Sequence, residues 1–269
     1  MTSTTSKLID LGTSDLIFEI ADGVGWLTFN RPEARNAMTW AMYEGLHGAC
    51  DVVEADAGVR VLVLRGAGER AFVSGTDISQ FQAFKTAEDA LGYERNVNRY
   101  TSRLESLPKP VIAMIRGYCV GGGAALAMAC DMRIASQDAK FGVPIARTLG
   151  NTLSAQNLSR LVALVGPDRA KEILFTARFV GAEEGHRMGL YSEVVPPDAL
   201  LGRTRELAAL MAGHAPLTIR SVKEGVRRLT EHGRIDETKD LYLMCYLSED
   251  FKEGVSAFLE KRPPQWKGR

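Results

Sequence analysis

Three consecutive glycines, Gly121 to Gly123, come directly before residues 124–130, an apolar stretch typical of a helix buried in a core. Because glycine has no Cβ atom, a ligand can approach the main chain closely at such a helix start. The first N–H groups of a helix have no intrahelical acceptor, and the helix dipole places partial positive charge there. The motif predicts either a site for an oxyanion or a phosphate, or a tight turn with close helix packing, and the glycines alone do not decide between them.

A second glycine turn lies at Ser74-Gly75-Thr76-Asp77, after a short strand predicted at residues 71–73. A glycine between a strand and a helix can leave the N–H of the next residue, Thr76, open to a ligand. Asp77 has the right type and position to accept a hydrogen bond from the first turn of the helix that follows. Taken alone, this motif favours an ordinary helix cap over a binding site.

Other motifs with a known mechanism are weak or missing in this sequence. Gly66-Ala67-Gly68 followed by Ala71 fits the dinucleotide-binding fingerprint, but that fingerprint requires a helix to begin at the glycines. Here the chain enters the strand predicted at residues 71–73, so a nicotinamide-dependent dehydrogenase is the least favoured hypothesis. The sequence has no nucleophile-elbow, P-loop or zincin motif.

The composition is that of an ordinary globular protein and argues against several partners. The 269 residues contain 33 Lys plus Arg and 33 Asp plus Glu, so no basic excess favours nucleic acid. The four cysteines form no C-x-x-C pair, so we expect reduced thiols and no metal site. No run of about 18 apolar residues is present, and residues 1–13 lack the apolar core of a signal peptide. We therefore expect a cytoplasmic protein without a membrane span.

The pattern of apolar residues predicts strands that alternate with helices in the first part of the chain, and mostly helices after about residue 155. Strands at residues 16–20 and 24–29 are joined by a tight turn, and nearly continuous apolar runs at 59–64 and 111–115 indicate strands buried on both faces. The remaining predicted elements are strands at 132–135 and 139–142 and helices at 38–55, 86–107 and 236–261. Together these elements predict an α/β core followed by a helical tail.

Several segments, in the right order along nearly the whole chain, resemble the crotonase superfamily, the enoyl-CoA hydratase/isomerase family. The segments that carry the resemblance are residues 30–37 (NRPEARNA), 71–78 (AFVSGTDI), 109–123 (KPVIAMIRGYCVGGG), 130–135 (CDMRIA), 141–144 (FGVP), 189–190 (GL), 194–196 (VVP) and 258–263 (FLEKRP). The resemblance implies an α/β fold in which repeated β-β-α turns form a spiral over residues 1–200. It also implies a helical region over residues 201–269 that assembles homotrimers, which can pair into hexamers.

The resemblance further implies where an acyl-CoA thioester binds. Its carbonyl oxygen is expected to accept hydrogen bonds from the N–H groups of Thr76 and Gly122, a backbone oxyanion hole. Arg35 lies where the family often has a basic residue facing the CoA phosphates, and Lys261 is expected to reach the ligand of a neighbouring subunit. The full set expected to contact substrate or CoA is Arg35, Ala37, Ser74, Gly75, Asp77, Ile78, Val120, Gly121, Pro144 and Lys261. No cofactor is expected to stay bound, because coenzyme A is part of the substrate.

The sequence departs from the hydratase pattern at the two catalytic acids. Hydratases of the family have glutamates three residues after the oxyanion glycine and directly after the proline of the F-G-x-P segment, where this chain has Ala125 and Ile145. Neither side chain can transfer a proton, so both acid positions are vacant. Polar residues expected near the pocket, in replacement or binding roles, are Asp77, Tyr93, Glu94, Arg147, Asn151 and Ser154, of which Arg147 and Asn151 form the most interesting polar pair.

Two hypotheses for the function follow. The favoured one is an enzyme of fatty-acid metabolism, a lyase or isomerase that stabilises the enolate of an acyl-CoA thioester with acid–base groups different from those of a hydratase. A decarboxylase, whose leaving CO₂ requires no base, and a thioester hydrolase also remain open. The alternative is a non-catalytic acyl-CoA-binding homologue, in which Ala125 and Ile145 form an apolar wall.

Overall fold

The computed structural model describes residues 6–83, 85–232 and 239–269, which form two β-sheets with helices packed around them. The strands are β1 (Lys7–Ile9), β2 (Leu16–Ala21), β3 (Val24–Phe29), β4 (Val61–Gly66), β5 (Ala71–Val73), β6 (Val111–Ile115), β7 (Tyr118–Val120), β8 (Met132–Ser136), β9 (Lys140–Gly142), β10 (Val180–Gly181) and β11 (Glu193–Val195). The helices are α1 (Trp40–Ala55), α2 (Ala87–Ser106), α3 (Gly122–Ala129), α4 (Ile145–Thr148), α5 (Ala155–Val165), α6 (Pro167–Thr176), α7 (Ala182–Met188), α8 (Leu200–Ala212), α9 (Pro216–His232), α10 (Lys239–Tyr246) and α11 (Glu249–Glu260), and short 3₁₀ helices cover Pro32–Ala34, Ile78–Ala83 and Pro197–Ala199.

The chain passes repeatedly between the two sheets. The larger sheet has the strand order β1-β2-β3-β4-β6-β8-β11, and the smaller sheet has the order β10-β9-β7-β5. Successive turns of the chain therefore run β4-β5-α2, β6-β7-α3 and β8-β9-α4, with one strand in each sheet before the helix. Neighbouring strands from β3 to β11 in the larger sheet are parallel, as are β5, β7 and β9. The predicted α/β spiral of β-β-α turns with a helical C-terminal region is confirmed.

The turn between β2 and β3 and the starts of the first two long helices follow from local sequence. Asp22 and Gly23 have φ angles of 51° and 74°, the left-handed pair that a two-residue hairpin with right-handed strand twist requires. The Thr39 side chain accepts a hydrogen bond from the N–H of Met42 at the start of α1. Thr86 forms a reciprocal capping box with Asp89 at the start of α2. The predicted hairpin and the helices predicted at residues 38–55 and 86–107 are confirmed.

The central strands of the larger sheet are buried on both faces. On β4, Leu62 and Leu64 belong to the main core, which also contains the apolar face of α1 and most residues of α3. The alternate residues Val61 and Val63 belong to a second core under α8, together with Leu200. A strand with apolar neighbours on both sides carries no polar alternation, which explains its continuous apolar sequence.

The structure differs from the sequence-based expectation mainly in the C-terminal helices. The helix predicted at residues 236–261 is two helices, α10 and α11, while residues 236–238 lie outside the described residues. The break occurs because the Ser248 hydroxyl accepts a hydrogen bond from the N–H of Phe251 at 2.9 Å and so starts a new helix. Strands β1, β7, β10 and β11 were not predicted, and each has two or three residues, too few for a period of two to be recognised.

Two other features bear on the expectations for the chain as a whole. None of the helices within residues 6–83, 85–232 and 239–269 is long and apolar enough to cross a bilayer. Cys50, Cys119 and Cys130 are buried as free thiols, and burial raises their pKa values. The boundary at residue 200 and the assembly into trimers stay predictions.

Candidate active site

A cavity of about 230 Å³ lies where the two glycine turns meet α2 and the segment 143–157. Of the residues expected to contact substrate, the ones that line this cavity are Ser74, Gly75, Thr76, Ile78, Val120, Gly121, Gly122 and Pro144. The two glycine turns, which are about 45 residues apart in the sequence, therefore line one continuous surface.

The N–H of Thr76 is held away from its own backbone neighbours. The N–H of Met38 donates to the carbonyl of Gly75 at 2.8 Å, and the N–H of Asp77 donates to the carbonyl of Met38 at 2.9 Å. Successive N–H groups of an extended chain point in opposite directions, so this bridge turns the Thr76 N–H away from Met38. Among the described residues this N–H has no hydrogen-bond acceptor. A positive φ of 114° at Gly75 permits the sharp turn.

Gly122 is the first residue of α3, and its N–H likewise has no intrahelical acceptor. The preceding Gly121 has a φ of 54°, and its N–H donates to the carbonyl of Gly142 at 3.0 Å, which fixes the helix start against β9. Within the part of the chain that the structure describes, no other group accepts a hydrogen bond from the Gly122 N–H. The dipole of α3 places partial positive charge at this position.

The two turns approach one another closely, and the tightest contacts lie at Gly122 and Gly123. A Cβ atom on Gly122 would lie 3.3 Å from the nitrogen of Thr76, and one on Gly75 would lie 3.9 Å from the nitrogen of Gly122. A Cβ atom on Gly123 would lie 2.1 Å from the carbonyl oxygen of Val73, a distance that real atoms do not reach. Close packing of α3 on β5 therefore agrees with the tight-packing interpretation of the triple glycine, and it brings the two N–H groups together. The interpretation as a site for an oxyanion stays a prediction.

Two tyrosines that the sequence did not connect with the glycine turns fix the side chain of Thr76. The Thr76 hydroxyl is 2.8 Å from the Tyr43 hydroxyl and 3.0 Å from the Tyr93 hydroxyl. Burial raises the pKa of both phenols, so both remain protonated at neutral pH. These hydrogen bonds form a hydroxyl network that connects the turn at Thr76 to α1 and α2. The three residues are far apart in the sequence, so the contact could not be predicted from it.

Asp77 caps the 3₁₀ helix that follows it, as the sequence predicted. Its carboxylate accepts hydrogen bonds from the N–H and hydroxyl of Ser79 at 3.2 and 2.8 Å and from Arg31 at 3.2 Å. The bonds from Ser79, and then the one from Arg31, hold the pKa of Asp77 below its usual range. The side chain does not line the cavity, and its direct contact with substrate stays a prediction.

Glu94 is the carboxylic acid among the described residues that line the cavity. It lies on α2 between Tyr93 and Val97, which line the same surface, and it is half-buried. Burial raises the pKa of its carboxyl group. Within the described chain the carboxylate has no hydrogen bond and no ion pair.

Ala125 and Ile145, which the family resemblance places at the two acid positions of hydratases, also line the cavity and give it an apolar wall. Of the polar pair expected after Ile145, Asn151 lines the cavity, whereas Arg147 is exposed on α4 and does not. The Ser154 hydroxyl donates to the side chain of Asn98 at 2.7 Å and caps α5, which gives it a structural role.

Arg35 and Ala37 lie in the loop that borders the first glycine turn. The N–H of Ser74 donates to the carbonyl of Arg35 at 3.1 Å, and the exposed Arg35 guanidinium lies 5.7 Å from the ring centre of Tyr118. The buried Asn36 was missed by sequence reasoning, although it fixes this loop by donating to the carbonyls of Ala67 and Ala71 at 3.0 and 2.8 Å.

Lys261 is exposed at the end of α11, with a φ of 53°. Contacts of Arg35, Ala37 and Lys261 with coenzyme A stay predictions.

The chain matches one family of known proteins over nearly its whole length. The family model described as enoyl-CoA hydratase/isomerase matches residues 19–269. A short-chain-enoyl-CoA hydratase of Clostridium acetobutylicum is 36% identical over 255 residues, which cover 93% of this chain and 96% of that protein. A crotonyl-CoA hydratase of Syntrophomonas wolfei is 36% identical over 252 residues, 92% of this chain and 96% of that protein. The crystal structure of an enoyl-CoA hydratase/carnithine racemase from Magnetospirillum magneticum is similar with a TM-score of 0.89 at 33% identity, covering 96% and 97% of the two chains.

Proposed function

Because the chain belongs to the enoyl-CoA hydratase/isomerase family, we propose that it is an enzyme that binds acyl-CoA thioesters and stabilises their enolates. The observation that best supports this proposal is the pair of N–H groups of Thr76 and Gly122, which lie close together beside a cavity and have no acceptor among the described residues. Donors in such an arrangement are suited to the thioester oxygen, on which negative charge develops when an enolate forms.

The main chain and the hydroxyl network favour a fixed arrangement of the two donors. Positive φ angles at Gly75 and Gly121 set both turns, and the hydroxyls of Tyr43 and Tyr93 anchor Thr76. Donors that do not reorganise during a reaction contribute most, and one backbone donor of this type is worth about 10²–10³ in rate. The proposed oxyanion hole therefore suits reactions that pass through an enolate, such as those of a lyase or an isomerase.

A second candidate is an acyl-CoA-binding protein without catalytic activity. The observation that favours it is the apolar wall at Ala125 and Ile145, where a proton-transferring side chain would be expected in a hydratase. A decarboxylase fits the same wall, because the electron pair left by departing CO₂ enters the enolate without the help of a base. A thioester hydrolase needs an activated water in addition.

The proposal is tested by turnover and binding with a panel of enoyl-, malonyl- and 3-hydroxyacyl-CoA thioesters. Gly122→Pro removes the N–H at a helix position where proline is tolerated, and Gly122→Ala adds a Cβ atom in the same place but keeps the N–H. We expect the proline variant to turn over at least about 10²-fold more slowly than the alanine variant. Equal rates for the two variants would contradict the proposed oxyanion hole, and binding without any turnover in the wild type would favour the non-catalytic candidate.

A further inference from the structure

We propose that Glu94 is the general base and acid that moves the proton at the α-carbon of the bound acyl group, a role that rests on the proposed function. The family resemblance does not assign this role, because its two acid positions fall on Ala125 and Ile145. Glu94 is instead the carboxylic acid that the fold brings to the cavity wall among the described residues.

Glu94 lies on the face of α2 that lines the cavity. Tyr93 and Glu94 line the cavity together with Val97, from which they are four and three positions away, the spacings that place residues on one face of a helix. Tyr93 reaches the hydroxyl of Thr76 at 3.0 Å, so this face of α2 is in contact with the turn that carries one proposed oxyanion donor. Burial is the main cause of the raised pKa of Tyr93, and the charge of Glu94 adds to it, which indicates that the carboxylate lies close to the hydroxyl network.

The other ionisable groups near the cavity are engaged elsewhere. The Asp77 carboxylate is bound by Ser79 and Arg31. Arg95 is paired with Glu88 on the exposed side of α2. Glu94 therefore remains as an unpaired carboxylate on the cavity wall among the described residues. A half-buried glutamate whose pKa is raised towards neutrality is suited to both accepting and returning a proton.

The proposed step balances without a co-reactant. The ionised carboxylate of Glu94 takes the proton from the α-carbon, the C–H electron pair forms the carbon–carbon double bond of the enolate, and the carbonyl electron pair moves to the thioester oxygen. The N–H groups of Thr76 and Gly122 stabilise the resulting oxyanion. Return of the proton from the carboxylic acid restores the thioester. In D₂O the carboxyl proton exchanges with solvent, so the α-carbon acquires deuterium.

The test is deuterium incorporation at the α-carbon of butyryl-CoA in D₂O, measured by mass spectrometry together with binding by calorimetry. We expect wild-type protein to incorporate deuterium, Glu94→Gln to do so at least about 10²-fold more slowly, and butyryl-CoA binding to change little. Glu94→Asp, which keeps the acid on a shorter side chain, should recover part of the rate. The matched control is Glu88→Gln, which removes an exposed glutamate of the same helix and should leave the exchange unchanged.

The variants separate this inference from the proposed function. Wild-type exchange that Gly122→Pro abolishes but Glu94→Gln retains would overturn the role of Glu94 and leave the oxyanion hole intact. Exchange that Gly122→Pro does not reduce relative to Gly122→Ala would overturn the proposed function. If the wild type incorporates no deuterium although butyryl-CoA binds, the role of Glu94 as a base is overturned, and turnover of the thioester panel decides the proposed function independently.

Discussion

Gly123 is the position at which a single added carbon atom should disturb both the fold and the candidate site. In Gly123→Ala the new Cβ atom would lie 2.1 Å from the carbonyl oxygen of Val73 and 2.7 Å from its Cβ atom. Because the nearest atom belongs to the backbone of β5, the contact cannot be relieved by a side-chain rotation. Helix α3 must therefore move away from the strand.

Two opposing effects determine how much the free energy of unfolding changes in Gly123→Ala. Overpacking a well-packed core costs about 1–3 kcal/mol, and we expect the upper part of this range because backbone atoms must move. Replacing glycine with alanine in a helix contributes about 0.8–1 kcal/mol in the other direction. The net loss is about 1–2 kcal/mol or more, which corresponds to a fall in Tm of about 2–8 °C for a domain of this size.

The matched control is Gly202→Ala, at an exposed position inside α8 where an added Cβ atom meets nothing within 4 Å. This variant should gain stability by up to about 1 kcal/mol, because only the helix propensity changes. Free energies of unfolding for both variants can be measured by denaturant titration followed by circular dichroism. If Gly123→Ala is as stable as Gly202→Ala, the glycine is not needed for the close approach of α3 to β5, and this contact does not fix the positions of the N–H groups of Thr76 and Gly122.

Three further substitutions test the surroundings of the site. Tyr43→Phe removes a buried hydroxyl partner of Thr76 and should lower the free energy of unfolding by about 0.5–1.5 kcal/mol in denaturant titrations; an unchanged value would contradict the network. Asn36→Ala leaves the carbonyls of Ala67 and Ala71 without their donor and should cost about 1–3 kcal/mol in the same assay, whereas a loss below this range would mean that water replaces the amide. Glu94→Gln should raise Tm at pH 7 and not at about pH 3.5, because the raised pKa makes the folded state lose stability as pH rises above the ordinary glutamate value of about 4.3. If the Tm difference between Glu94→Gln and the wild type is the same at both pH values, burial of the Glu94 charge does not lower the stability of the folded state.

Much of the fold could be predicted because it is encoded by local patterns. Asp22-Gly23 specifies the hairpin turn, and Thr86 with Asp89 specifies the start of α2. The glycine turns could also be located, since a residue without a Cβ atom at a strand or helix boundary has a physical reason to be there. The partners of Thr76 could not be predicted, because Tyr43 lies 33 residues away and their contact depends on how α1 packs.

The acid on the cavity wall was harder to identify for a related reason. Glu94 stands among six polar residues expected near the pocket, and nothing in its sequence neighbourhood distinguishes it. The distinction arises from the rotation of α2 about its axis, which turns Glu94 towards the cavity and leaves Glu88 in solvent. Arg147, which the sequence favoured, is exposed because the short α4 turns it outwards. Helix rotation is determined by tertiary packing and not by the type of a single polar residue.

The fold fixes the two backbone N–H donors more strictly than it fixes the position of a proton-transferring side chain. Membership of the family therefore says more about thioester binding than about the reaction. The positions of the N–H groups of Thr76 and Gly122 depend on contacts between main-chain atoms, such as the close approach of Gly123 to the carbonyl of β5, so they cannot shift without moving a helix and a sheet. A proton-transferring side chain can come from any wall of the cavity that lies within reach of the acyl group, and the proposed base Glu94 lies on α2 whereas Ala125 belongs to α3. Similarity to hydratases along the whole chain therefore supports thioester binding and activation more strongly than it supports hydration. The position of the acid on the cavity wall sets the direction from which a proton reaches the acyl group. That direction determines which reaction the bound thioester undergoes.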